Sequence, residues 1–219
     1  MSHASAIVAI SPEQIREHGE LYKAIEWNME PFNEHEWFGD GSRWDWYTIG
    51  GRYTGKFIPD YNPETDPDNI EVCWLCHGTG KRTDMVVFNG CNGCAGTGKK
   101  VKFTSHWKSV GNIALRSKIN HLEGKLTAYA FLKNRCWNEL ARLGWFGGEA
   151  ATECEIRSKE TTGEEYTGKC VFRNEELSSK IVSWQENKKT ETKWNDMFWA
   201  RFIRHIPDDW TLVCVDYHV

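Results

Sequence analysis

An α+β fold, with a mixed or antiparallel sheet, packed helices and an inserted four-cysteine zinc hairpin, follows from three features of this 219-residue chain. Strand-like runs open and close it, at residues 4–10 and 210–219. Segments with helical spacing of apolar side chains lie between them. Two Cys-x-x-Cys pairs sit mid-chain behind a proline-rich acidic stretch. Strands at both ends with helices between pack most simply as one layered core, the first and last strands adjacent.

Residues 4–10, Ala-Ser-Ala-Ile-Val-Ala-Ile, read as a short buried strand. Ser11, Pro12 and Gln14 then supply an N-cap, a first-turn proline and a capping-box partner. Ile15, Tyr22, Ile25, Met29 and Phe32 follow at near-helical spacing, so one helix is expected to run to about residue 29 and end before Pro31. Residues 33–58 are the densest aromatic stretch, with Trp37 and Phe38 and then Trp44-Asp45-Trp46-Tyr47. Gly39-Asp40-Gly41 reads as a turn, and Gly50-Gly51 implies a tight turn or a close backbone approach. Residues 59–71 hold Pro59, Pro63, Pro67 and five acids with no base, a composition that resists regular structure and marks a module boundary. The expected organisation is a core of residues 1–58 and 105–219, a linker at 59–71 and a zinc hairpin at 72–104.

Beyond the hairpin, residues 126–132 read as a strand and 133–135 as a turn. Residues 136–146 are ambiguous between a short helix and a returning strand, with strand favoured. Residues 152–168 are polar and loop-like, and 169–173 suit another strand. An amphipathic helix is expected over 191–205, where Trp194, Met197, Phe198, Arg201 and Phe202 recur at helical intervals before Pro207.

Hydrophobic residues make up 40% of the chain and charged ones 26%, ordinary globular usage. No apolar run approaches the roughly 20 residues a bilayer span needs. Residues 1–10 lack the basic and long apolar regions of a secretory signal, so a cytoplasmic protein with no membrane association is expected. The net charge of −4 argues against a general nucleic-acid coat while leaving room for a local basic patch. Twelve tryptophans are unusual; most buried indoles are core, and a minority of such clusters line a cleft.

Cys73-Trp74-Leu75-Cys76-His77-Gly78-Thr79-Gly80 and Cys91-Asn92-Gly93-Cys94-Ala95-Gly96-Thr97-Gly98 share the template Cys-x-x-Cys-x-Gly-x-Gly. Two thiolates three residues apart take one edge of a tetrahedral ion and the second pair closes it. The expectation is one zinc ion on Cys73, Cys76, Cys91 and Cys94, with a redox dithiol pair as the other reading. A site filled by four thiolates has no open position for water, which makes the metal structural. Cys136, Cys154, Cys170 and Cys214 are isolated and read as free buried thiols. Residues 73–108 carry Lys81, Arg82, Lys99, Lys100, Lys102 and Lys108 against Asp84 alone. Such a surface can contact phosphate, or can be a solvated face balanced by the acidic linker before it.

These repeats resemble the cysteine-rich zinc region of the DnaJ (Hsp40) co-chaperones. The His-Pro-Asp signature of that family's J-domain is missing, interrupted here as His205-Ile206-Pro207-Asp208. The likeness therefore implies the zinc site, and a chaperone-like or protein-interaction module only as a third reading.

Two further segments carry candidate chemistry. Asp216 and His218 lie two apart on a strand and share a face, a pair that can orient an imidazole for acid–base work or sit at the surface as a terminal pair. Arg52, after Gly50-Gly51, can grip a phosphate or carboxylate while Trp44, Trp46 or Tyr47 stacks on a base; alternatively it pairs with Asp45 and packs on tryptophan. Trp-Asp-Trp-Tyr-x-x-Gly-Gly-Arg with a terminal Asp-x-His resembles a group of small phage-encoded proteins of no assigned activity. That likeness implies a phage accessory protein, in the host cytoplasm, that can act against host defence.

Phosphate-loop, His-Glu-x-x-His and Gly-x-Ser-x-Gly signatures are absent from the sequence. The leading expectation is a non-enzymatic, zinc-stabilised protein that binds a nucleotide, a nucleic acid or a host protein through Trp44, Asp45, Trp46, Tyr47 and Arg52. The alternative is a phosphodiester or nucleotide hydrolase built on Asp216 and His218.

Overall fold

The computed structural model describes residues 3–33, 44–82, 90–140 and 184–218. Its centre is a six-stranded mixed sheet. β1 (His3–Ile10) and β8 (Thr211–His218) lie side by side, antiparallel over their full lengths with His3 opposite His218 and Ile10 opposite Thr211. β6 (Ala130–Lys133) pairs parallel with the far edge of β1, and β7 (Cys136–Glu139) returns antiparallel to β6. Two short strands share the outer edge of β8: β2 (Trp46–Ile49) along its C-terminal half and β5 (Ile113–Leu115) along its start. The expected neighbouring of the terminal strands holds.

Alternation of side chains across β1 and β8 makes both faces apolar, so each must be covered. On one face Ala6, Val8, Val213, Val215 and Tyr217 pack with Ala24, Ile25 and Met29 of α2 (Leu21–Met29). On the other, Ile7, Phe131, Leu212 and Cys214 meet Trp194, Phe198 and Phe202. The latter belong to α3 (Trp184–Phe198) and the π-helical turn Trp199–Ile203 that ends it. Burying a side chain of this size contributes about 1.5–3 kcal/mol. Trp194 also donates its indole N–H to Ala128 O at 2.8 Å, so its polar edge is satisfied inside the core.

Several expectations change in detail. The single helix to residue 29 is two helices. α1 (Pro12–His18) begins with the expected Ser11–Gln14 capping box and stops at Gly19, whose left-handed conformation turns the chain before α2 starts. The strand expected at 126–132 is confined to 130–133. Leu126 and Ala128 are buried, but the parallel ladder with β1 begins only at Ala6 and Ala130. Over 136–146 the described part is 136–140, of which 136–139 are strand. The C-terminal helix starts earlier than 191 and widens into a π turn, and Met197 is exposed instead of core-facing.

Residues 59–71 are mostly turns, yet they are anchored and end in regular structure. Asn69 is fully buried; its Oδ1 accepts from Lys108 N and its carbonyl accepts from Lys102 N, both at 2.8 Å. β3 (Ile70–Val72) then pairs with β4 (Lys99–Val101) as a separate two-stranded sheet at the base of the hairpin. Trp37, Phe38, Gly39–Gly41, Cys154, Cys170 and the segments 152–168 and 169–173 lie outside the described residues, as do 83–89 of the hairpin. Among the described residues no helix is long and apolar enough to cross a membrane.

Candidate functional site

The four knuckle cysteines converge, with sulfur atoms all within 4.8 Å of one another. Cys73 Sγ lies 3.8 Å from Cys91 Sγ, and Cys76 Sγ 3.7 Å from Cys94 Sγ. A tetrahedron of thiolates bonded at ~2.3 Å to a central ion has edges of about 3.8 Å, so the cluster has the dimensions of a four-coordinate metal site.

The two knuckles are near copies in space as in sequence. Thr79 Oγ1 donates to Cys76 O, and Thr97 Oγ1 to Cys94 O, each at 2.7 Å. Cys91 N donates to Gly80 O, and Cys73 N to Gly98 O, so each knuckle is tied to the last glycine of the other. A Cβ at Gly80 or Gly98 would collide with the carbonyl of Gly96 or Gly78 across this contact. The expected amide-to-sulfur turn is present at Gly98 N to Cys94 Sγ, 3.2 Å. The left-handed bend itself starts one residue before the first glycine, at His77 and Ala95, both φ 48°. Of the remaining cysteines, Cys214 is fully buried on β8, where burial pushes its thiol up to about 12; it is an inert core residue.

A second cluster forms where the start of β1, the start of β2 and the end of β8 meet. Cross-strand register sets Trp46, His218 and His3 in one row, and Thr48, Asp216 and Ser5 in the next. The expected pairing of Asp216 with His218 does not occur. Residues two apart on a strand are separated by roughly 6.6 Å along it, and nearer partners lie across the ladder. Instead His3 Nδ1 meets Asp216 Oδ1 at 2.9 Å, and His218 Nδ1 meets Asp45 Oδ1 at 2.7 Å. The two imidazole rings stand edge to face with centroids 5.2 Å apart, and Trp46 lies edge-on to His3 at 6.0 Å.

Each carboxylate accepts from Nδ1–H, which leaves both Nε2 atoms available as acceptors. The supports differ in burial. Asp216 is 1% exposed, and its second oxygen accepts from Arg52 N at 2.9 Å, so the buried charge has two donors. That contact explains Gly51: its φ is +52°, and a Cβ there would run into the Asp216 carboxylate. Asp45 is more open, and its backbone N–H donates to His218 O, binding β2 to β8 beside the side-chain contact. Tyr53 OH donates to His3 O at 3.2 Å. Tyr53 also borders a groove of about 270 Å³ whose lining includes Lys56, Tyr61 and Lys125.

The aromatic ligand site expected from the sequence is therefore divided. Trp44 is core, its indole N–H donating to Met29 O at 3.0 Å, and Tyr47 packs edge-on against it beneath the α2 face. Asp45 and half-exposed Trp46 lie with the histidines, and exposed Arg52 is tied to the cluster through its backbone N–H on Asp216. The alternative pairing of Arg52 with Asp45 is not formed, since Asp45 holds His218 and the Arg52 guanidinium has no ion-pair partner among the described residues. His3 was missed in the sequence. Its signal was the adjacency of the terminal strands, which sets residue 3 against residue 218.

No protein-family model matches the chain, and no curated protein or solved structure does either.

Proposed function

We propose that the two His–Asp pairs form an acid–base site acting on the phosphate ester of a nucleotide or nucleic acid, and that the four thiolates hold a structural zinc ion. The single observation that carries this reading is the pair of adjacent imidazoles, each backed at Nδ1 by a carboxylate from another part of the chain. A carboxylate behind Nδ1 fixes the tautomer and stabilises the imidazolium that forms when Nε2 takes a proton. With two such rings side by side, one takes a proton from the attacking water while the other, entering protonated, gives one to the leaving oxygen. A phosphorus–oxygen bond forms as another breaks, water is added across the ester, and the rings exchange protonation states.

Substrate class follows from the surroundings. Arg52 projects from the residue whose amide holds Asp216, and a guanidinium without an ion-pair partner suits a phosphate. Exposed Trp46 beside His3 offers a face for a base. Lys56 and Lys125, against Asp60, leave the lining of the adjoining groove net positive. The zinc ion would close the hairpin and take no part in turnover, since four thiolates complete its coordination.

The test is incubation of the metal-loaded protein with nucleoside mono-, di- and triphosphates and with RNA and DNA oligomers, followed by mass analysis of products. Cleavage by the wild type that disappears in both His3→Ala and His218→Ala supports the reading. A ligand that is bound but never cleaved, with equal affinity in both variants, would move the function to binding. Cleavage that survives both substitutions would place the chemistry elsewhere.

A further inference from the structure

We propose that the outer face of the four-cysteine hairpin binds single-stranded nucleic acid, through residues other than those of the His–Asp site. Trp74 and Phe103 are 65% and 72% exposed, which is uncommon for rings this large outside interaction surfaces. The Lys100 ammonium lies 5.9 Å from the Trp74 ring centre and 5.4 Å from that of Phe103. Ring, cation, ring is the order a single strand meets as base, phosphate, base.

The platform is built, not loose. Trp74 sits between Cys73 and Cys76, whose thiolates fix the backbone on either side. Phe103 follows Lys102, whose N–H donates to the carbonyl of buried Asn69. Lys81 and Lys99, each directly after the last glycine of its knuckle, are exposed and extend the positive charge. Part of the basic run is paired: Lys108 with Asp68, and Lys100, between the two rings, 3.1 Å from Glu71. The acidic stretch thus offsets charge at Lys108 and Lys100, and exposed Lys81 and Lys99 carry the rest. Glu71 competes with phosphate for Lys100, so its removal strengthens binding. An acidic protein segment would satisfy the lysines but has no planar bases for two exposed rings.

The experiment uses the full-length, metal-loaded His3→Ala protein, so that cleavage cannot consume the probe. Fluorescence anisotropy is recorded with labelled oligothymidylate and oligouridylate of about 15 nucleotides and with an oligoglutamate peptide. Binding of either oligonucleotide, falling steeply with salt, is expected, the tighter one identifying the natural strand as DNA or RNA. Trp74→Leu and Phe103→Ala should each weaken it by about five-fold or more, and Glu71→Gln should tighten it, with metal content unchanged. The proposal is overturned if neither oligonucleotide binds, if both ring substitutions leave affinity unaltered, or if oligoglutamate binds equally well.

Discussion

The four-cysteine hairpin draws its thiols from residues 73–94, whereas the His–Asp cluster takes its four members from positions 3, 45, 216 and 218. In the hairpin, local spacing does most of the work: two Cys-x-x-Cys turns bring four thiols within 4.8 Å of one another. In the cluster, geometry exists only because β1, β2 and β8 pair in one register, since a one-residue slip would send every side chain to the opposite face. One site is assembled by residues close in sequence, in a cluster that could hold a metal ion. The other is assembled by the sheet and depends on its integrity.

The sharpest way to separate them is to remove the metal. Cys73→Ser with Cys91→Ser should abolish metal binding, measured as about one zinc per chain falling to none, because structural zinc contributes roughly 10 kcal/mol or more to folding of its module. Circular dichroism should show the helices and main sheet retained. Collapse of the whole molecule would mean that hairpin and sheet are one cooperative unit.

Substitution of the cluster tests the opposite half. His3→Ala and His218→Ala should each lower turnover by about 10²-fold or more, with zinc content unchanged. Asp216→Asn should lower it too, by exchanging the charge that supports the imidazolium for a neutral amide. A smaller effect is expected from Gly51→Ala, which introduces a Cβ against the Asp216 carboxylate at φ +52°. A loss of about 1–3 kcal/mol in urea unfolding, with reduced activity, is the expected result. Smallest is Trp44→Phe, which removes the indole bond to Met29 O. It should cost about 1 kcal/mol and leave turnover alone, whereas Trp46→Ala should weaken substrate binding and leave stability alone.

The same contrast governs what the sequence made legible. The convergence of the four cysteines was readable because their spacing is periodic and local, and the terminal strands because apolar runs at both ends announce buried β structure. The capping box at Ser11 and Gln14 was readable for the same reason. The break at Gly19 was hidden because apolar spacing continues across it, so periodicity alone favoured one helix. Tyr47 and Trp44 were grouped with Trp46 by proximity in sequence, although strand alternation and the Trp44 hydrogen bond draw them to the far face. The partnership of His3 with Asp216 spans nearly the whole chain and is set by ladder register, which no local pattern encodes. Asp216 and His218 were identified as chemistry-bearing residues, but each was given the other as partner when the sheet supplies closer ones.

The measurement that bears most directly on the account is a double-mutant comparison of turnover on the phosphate ester that the proposed site is expected to cleave. It sets His3→Ala and His218→Ala beside the protein carrying both. Two imidazoles that act in one proton exchange should fail together, so the double variant should be no slower than the worse single variant. Losses that multiply, or a single variant that keeps wild-type turnover, would contradict a shared acid–base site.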